Sequence, residues 1–161
     1  MLFYQRALGV FTLAIVLPLS ACAVPLPCTG EGDYVLLVGP NDRTVRFEVE
    51  LAHTPPLREK GLMHRTDLPQ NTGMLFLWPD RAHRVFWMKN TPLPLDMLFI
   101  DGDTVVGIVE NATPFTQTPR AVDHPATAVL EVHGGLSATH GIKAGWRMLS
   151  CLQTPVTPLA D

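Results

Sequence analysis

The sequence predicts one mostly-β domain, a small β-sandwich or partly open barrel, and three observations carry that expectation. Residues 44–51 alternate strictly, with Val45, Phe47, Val49 and Leu51 apolar against Arg46, Glu48 and Glu50. That is the period-two signature of a half-buried strand. Short apolar runs recur along the chain between turn residues, and 15 prolines with 12 glycines in 161 residues favour many short elements over a helical bundle. Helical signals are confined to one short segment after Thr54 and one turn near the C-terminus. The length suits one domain with a real core.

In chain order, Asp33 to Val38 reads as a short apolar strand and Pro40-Asn41-Asp42 as a turn, followed by the alternating strand Thr44 to Leu51. Thr54-Pro55-Pro56 signals a helix start, with Thr54 as N-cap and proline tolerated at the first position. This helix ends near Gly61, and Leu57, Leu62 and Met63 are expected to pack inward. After a loop from Leu68 to Gly73, Met74 to Trp78 is an apolar run of strand length ended by Pro79-Asp80. Val85 to Lys89 and Met97 to Ile100 read as two paired strands joined by a proline-stiffened turn. Asp101-Gly102-Asp103 is a hairpin turn leading to the strand Thr104 to Glu110. Asn111 to Pro125 is a long loop with three prolines, and Ala126 to His133 is a buried strand stopped by Gly134-Gly135. Leu136 to His140 makes one helical turn capped by Gly141, and Trp146 to Leu152 is the last strand.

The N-terminus reads as a targeting segment. Arg6 supplies a positive charge, and Ala7 to Leu19 is almost wholly apolar yet short for a membrane span. Leu19-Ser20-Ala21-Cys22 resembles the lipobox of bacterial lipoproteins, which implies that residues 1–21 are removed and that Cys22 is lipidated. Acyl chains contribute about 0.8 kcal/mol per buried CH₂, so the expected partner is a membrane reached through a lipid anchor. Ala23 in place of aspartate implies forwarding to the outer membrane, facing the periplasm. Ala21-Cys22-Ala23 also fits an ordinary secretory site, whose product is soluble periplasmic protein.

Residues 22–32 then form a tether, 33–152 the domain and 153–161 a tail. With Cys22 lipidated, Cys28 and Cys151 remain as a pair in an oxidising compartment and are expected to form a disulfide. A net charge of −3 with no Lys/Arg run argues against nucleic acid, which requires clustered cations to replace phosphate counterions.

Several phrases fall together along the chain. These are Arg58-Glu-Lys-Gly-Leu-Met63 with Arg65, Gly73-Met-Leu-Phe76, Phe86-Trp-Met-Lys-Asn-Thr91, Pro94-Leu-Asp96 with Phe99-Ile100, and Glu131-Val-His-Gly-Gly135 with Gly141-Ile142. In that order and spacing, from Arg46 to Leu149, the chain resembles the family called domain of unknown function number 192. The resemblance implies a small, mostly-β, sandwich-like domain behind an export signal, and it implies no reaction. One departure is that Trp146 follows Gly145, where relatives commonly carry an acidic residue.

The candidate binding residues are Arg58, Arg65, Trp87, Lys89, Asn90, Asp96 and Glu131. Strand alternation would turn Phe86, Met88 and Asn90 to the core and Trp87, Lys89 and Thr91 to an accessible surface. An indole beside cations, with a carboxylate in reach, suits envelope glycans or small anions through stacking and charged hydrogen bonds. The architectural reading has Asp96 and Glu131 pair with Arg58, Arg65 or Lys89 and hold the helix to the sheet.

A carboxylate-dependent envelope hydrolase would draw its acids from Glu110, Glu131 and Asp96. No Gly-x-Ser-x-Gly elbow occurs, and no catalytic residue is assigned. Periplasmic copper handling would gather Met63, His64, Met74, Met88 and Met97, although methionine in apolar runs is usually core filler. The six histidines lack paired spacing, and neither a metal site nor a cofactor is expected. The sequence therefore points to a cell-envelope lipoprotein that binds a glycan or a protein partner without turnover.

Overall fold

A computed structural model describes Cys28 and residues 31–154. The expected signal segment, Cys22, most of the expected tether and the end of the tail lie outside the described residues. Seven strands form the domain: β1 (Tyr34–Val38), β2 (Thr44–Ala52), β3 (Thr72–Ala82), β4 (Leu95–Asp101), β5 (Thr104–Ala112), β6 (Ala126–His133) and β7 (Arg147–Cys151). Two short helices accompany them, α1 (Pro55–Lys60) between β2 and β3 and α2 (Leu136–His140) before β7. The sheet closes into a barrel in the order β1-β2-β3-β6-β4-β5-β7. All neighbours are antiparallel except β2 and β3, which run parallel across the α1 crossover. The mostly-β expectation is met, and closure goes one step past a partly open barrel, removing the unpaired edges of an open sheet.

Alternation along the strands generates two apolar clusters. The first draws residues from all seven strands, among them Val35, Phe47, Leu75, Leu98, Val105, Leu130 and Met148, and it fills the barrel interior. Leu136, Ile142 and Trp146 close one end of this core. Trp146, at the position of the missing acid, is buried and lies so close to Gly39 that a Cβ there would sit 2.4 Å from the ring. The second cluster lies on the outer face of β3, β4, β5 and β6 and includes Met74, Phe76, Leu95, Met97, Phe99, Ala112 and Val129. It is covered by Leu62, Leu68 and Met88 from the connecting segments.

Three sequence expectations need correction. The run from Val85 to Lys89 is not a strand paired with β4; only Phe86 makes a bridge, to Arg120. Both edges of β4 are taken, by β5 and β6, so the 85–91 segment has no ladder to join. It lies instead across the outer cluster with Met88 fully buried, its backbone tied to the 113–125 loop through Met88 N to Thr116 O at 2.8 Å.

Strand β3 does not stop at Pro79-Asp80 but runs to Ala82. Its pairing with β6 is irregular between Leu77 and Ala82, where a proline without an N–H costs no ladder bond. Leu57 is 41 % exposed and does not pack inward, whereas Leu62 does. Thr54 stands at the N-cap of α1 without a side-chain capping bond.

Cys28 and Cys151 form the expected disulfide, 123 residues apart in sequence. It fastens the entry segment to the end of β7. Closing a loop of this length limits the unfolded chain, a contribution of about 4–5 kcal/mol in the chain-entropy model. A Cys28→Ser, Cys151→Ser variant should keep a native far-ultraviolet spectrum and lose about 2–5 kcal/mol of stability. Urea unfolding of the oxidised wild type against this variant checks it, and coincident midpoints would rule the contribution out.

Candidate functional site

A cleft of about 260 Å³ opens where α1, β3 and the 85–91 segment meet on the outer face. Its walls are aromatic. Phe76 and Trp78 follow one another on the same face of β3, and Phe86 packs edge-on against Phe76 with centroids 5.0 Å apart. Phe86 also meets Trp78 edge-on, and Trp87 contributes to the mouth while half exposed. Helix α1 delivers Arg58, Glu59 and Lys60 to the rim. Gly61, which caps that helix at φ +47°, packs within 3.3 Å of Phe76 as measured from the Cβ it lacks. A side chain there would be strained and would press on the wall.

Arg58 is held by the backbone. Its Nη1 donates to His53 O at 2.8 Å and to Leu77 O at 2.9 Å. Among the described residues no carboxylate forms an ion pair with it, and its Nε and Nη2 have no protein acceptor. Burial, and after it the nearby Arg84 guanidinium, hold its pKa below the ordinary arginine value. Both guanidiniums lie over the Trp78 ring, Arg84 at 4.5 Å and Arg58 at 5.3 Å from the centroid. The field in this part of the cleft is therefore positive.

Glu131 also lines the cleft. It projects from β6 to the outer face, where its register partners are Met74 on β3 and Met97 on β4. The residue is 4 % exposed, and among the described residues its carboxyl makes neither a hydrogen bond nor an ion pair. Burial alone pushes its pKa up to about 8. At neutral pH it is a carboxylic acid, able to donate one hydrogen bond as well as accept.

Asp96 takes the opposite role. It lies on the other face of the sheet, fully buried, and accepts from three backbone amides: Asn111 N at 2.7 Å, Gly135 N at 2.9 Å and Ser137 N at 2.7 Å. It knots the start of β4 to the end of β5 and the first turn of α2. The expected pairing of Asp96 and Glu131 with Arg58, Arg65 or Lys89 does not occur among the described residues.

Of the seven candidates, Arg58, Trp87 and Glu131 converge on the cleft, and the Lys89 amine sits beside it, 5.6 Å from the Trp87 ring centroid. Arg65 stands elsewhere, paired with Glu50 in a separate depression. Asn90 is exposed, not buried, because it adopts a left-handed conformation, φ +56°, that asparagine tolerates. That residue breaks the strand alternation, so Thr91 turns in and is buried while Trp87 and Lys89 stay out.

The structure adds Phe76, Trp78, Phe86 and Met63, which the sequence reading assigned to core or left aside. A signal for two of them was present: Met74, Phe76 and Trp78 alternate along β3 toward a polar end. As for the acid pair of a hydrolase, Asp96 is on the wrong face and Glu110 is exposed on β5, outside the cleft. Met74, Met88 and Met97 are packed within the outer apolar cluster.

The family model DUF192, described as Uncharacterized ACR, matches residues 37–149, which take in every residue of the cleft. No curated protein matches the chain. Among solved structures, the chain is similar to a protein of unknown function from Novosphingobium aromaticivorans, 41 % identical with a TM-score of 0.69 over 72 % of this chain and 83 % of that one. It is also similar to a Sinorhizobium meliloti protein provisionally described as a transcription regulator, 39 % identical with a TM-score of 0.72 over 73 % of this chain and 92 % of that one.

Two outcomes follow from the contrast between the acids. Asp96→Asn replaces one accepting oxygen by a donor facing an N–H, and should cost about 2–4 kcal/mol in chemical denaturation. Its cost should be independent of any cleft ligand. For Glu131 the folded pKa lies above the unfolded value, so the folded state holds the proton more tightly. Stability is therefore full below about pH 4.5 as far as this group is concerned, and is lost as pH rises to about 8. Glu131→Gln should flatten that fall, and identical pH profiles for the two proteins would contradict the assignment.

Proposed function

Starting from a chain that belongs to the DUF192 family, we propose that it is an exported, lipid-anchored binding domain of the cell envelope that takes a small glycan or anion without turnover. The observation that carries this reading is an aromatic-walled cleft containing a guanidinium fixed through one nitrogen and a buried carboxyl, with the guanidinium's other donors and the carboxyl unpaired among the described residues. A guanidinium with donors free of protein acceptors and a carboxyl with no protein partner, both lining one concavity, are groups that a ligand can engage. The lipobox-like Leu19 to Cys22 and the Cys28–Cys151 disulfide support the extracytoplasmic address, since such bonds persist in oxidising compartments.

The regulator description attached to the Sinorhizobium protein finds little to build on here. With a net charge of −3 and no cation run, the counterion-release contribution to nucleic-acid binding is missing.

A second reading, a hydrolase, draws on one observation: Glu59 shares the cleft with the neutral Glu131. A base and a general acid of differing environment are what such chemistry requires. Glu59 is exposed on the rim, however, while Glu131 lies on the floor, and a ligand held by Arg58 accounts for both unpaired groups without a reaction.

Calorimetric titration of envelope saccharides and small organic acids into the full chain tests the binding reading. One class should bind at one site per chain, and Trp87→Ala should weaken it about tenfold, the scale of a lost stacking contact. Slow breakdown of the titrant by wild type but not by Glu131→Gln would favour the hydrolase instead. Cys22→Ser should shift the protein from the membrane to the soluble periplasmic fraction; unchanged membrane association would refute the anchor.

A further inference from the structure

Resting on the binding reading, we propose that the ligand is a ring-bearing carboxylic acid, bound as its anion between the Arg58 guanidinium and the Glu131 carboxyl, whose O–H donates a hydrogen bond to it, with the ring held by the aromatic walls. Three properties of the cleft narrow the class in turn.

Size comes first. Small-molecule sites usually span about 300–1,000 Å³. A cleft of about 260 Å³ encloses a single ring with one substituent, so any further sugar of a chain would lie outside it. Phe76, Trp78 and Phe86 offer faces and edges suited to an aromatic ring or the apolar face of a sugar.

Charge comes second. A cationic ligand would meet Arg58 and Lys60 at the rim and the Arg84 guanidinium over Trp78, opposed by Glu59 and by Asp80, which pairs with Arg84. It would also need Glu131 ionised, on a strand where Met74 and Met97 are its register neighbours and burial disfavours the charged form. A neutral ring would use Glu131 but leave the free donors of Arg58 without an anionic acceptor, since Asp80, whose charge also acts on Arg58, is paired with Arg84. A carboxylate satisfies both groups: Arg58 is immobilised by its two carbonyl acceptors, and its remaining donors form a planar fork matched to two oxygens.

Protonation comes third. An acid O–H pointed at a carboxylate makes a charge-assisted hydrogen bond, about twice as strong as a neutral one. The same Glu131 once ionised would repel the ligand. Its pKa of about 8 keeps the donor form at neutral pH. The charged groups lining the cleft with it are Arg58, Glu59 and Lys60, all from α1; beside it stand Lys89 next to Trp87, and Arg84 over Trp78 paired with Asp80 of β3, and no histidine or cysteine lines it. Binding should therefore weaken as pH rises through the Glu131 range.

Glucuronate, glucose and glucosamine share a ring and differ in charge, so their titration into the full chain at pH 7 separates the possibilities. Glucuronate should bind at least about tenfold tighter than glucose, with glucosamine weakest. Benzoate against benzyl alcohol repeats the comparison on an aromatic ring, and whichever of the two acids binds more tightly identifies the ring type. Between pH 7 and pH 9 the affinity for the acid should fall about tenfold in wild type and stay level in Glu131→Gln, whose amide donates at both pH values.

Arg58→Lys, which keeps the charge but not the fork, should lose about tenfold for the acid and little for its neutral counterpart. Equal binding of acid and neutral partner, a preference for glucosamine, or a pH-independent affinity would each overturn this proposal while leaving a binding cleft in place. No binding by any of the five probes would remove the binding reading as well.

Discussion

The Asp96 carboxylate is the constraint on which the rest of the structure depends. A fully buried carboxyl is tolerated only when its oxygens are hydrogen-bonded, and this one draws three amides from three places in the chain. Through Asn111 it fixes the end of β5, and through Gly135 and Ser137 it fixes the entry to α2. Gly134 must then approach Pro94 so closely that a Cβ would lie 3.0 Å from its backbone, and Gly135 must take φ +88°. The Pro-Leu-Asp and Val-His-Gly-Gly phrases are two halves of one knot. Once α2 is placed, Leu136 and Ile142 drop into the barrel mouth, and Trp146 follows against Gly39.

Fixing β4 in this register has a consequence on its other face. If Asp96, Leu98 and Ile100 point inward, Leu95, Met97 and Phe99 must point outward, and β6 pairs beside them so that Glu131 falls level with Met97. Two acids one strand apart thus sit on opposite faces with opposite fates. The inward one is saturated by backbone donors. The outward one is enclosed by methionines and aromatics and meets no donor of the protein. Composition cannot distinguish these cases, because what matters is which amides the topology delivers.

That limit explains what could and could not be read from the chain. Strands β1, β2, β4, β5, β6 and β7 were legible because each carries its own period of two or its own apolar run between turn residues. The Val85 to Lys89 run carries the same local signal, but it loses its place to β5 and β6, whose claim on β4 is set far away in sequence. Asn90 then reverses the pattern by one left-handed residue, which no periodicity reveals. In the cleft, Trp87 and Glu131 stood out as polar or amphipathic residues in apolar phrases, and Arg58 through the phrase that resembles the family. Phe76, Trp78 and Phe86 did not, since a cleft wall and a core wall have the same composition. Arg65 was misplaced for the converse reason: its nearness to Arg58 in sequence says nothing across the turn that follows Gly61.

The two acids also differ in what the fold requires of them. Removing Asp96 leaves buried amides without partners, so its presence is explained by architecture alone. Glu131 has no such account. An apolar side chain of similar volume would complete the outer cluster between Met74 and Met97, and substitutions of that kind are commonly neutral or stabilising where a buried ionisable group stood. A carboxyl that weakens the fold as pH rises, beside an arginine held open by its own backbone, is a local conflict the rest of the chain tolerates. Such conflicts concentrate where a protein meets something outside itself, because a group already satisfied within the fold has nothing left to offer a ligand. The barrel is thus stable through Asp96 and available through Glu131, and the alternation of one strand pair separates the two roles.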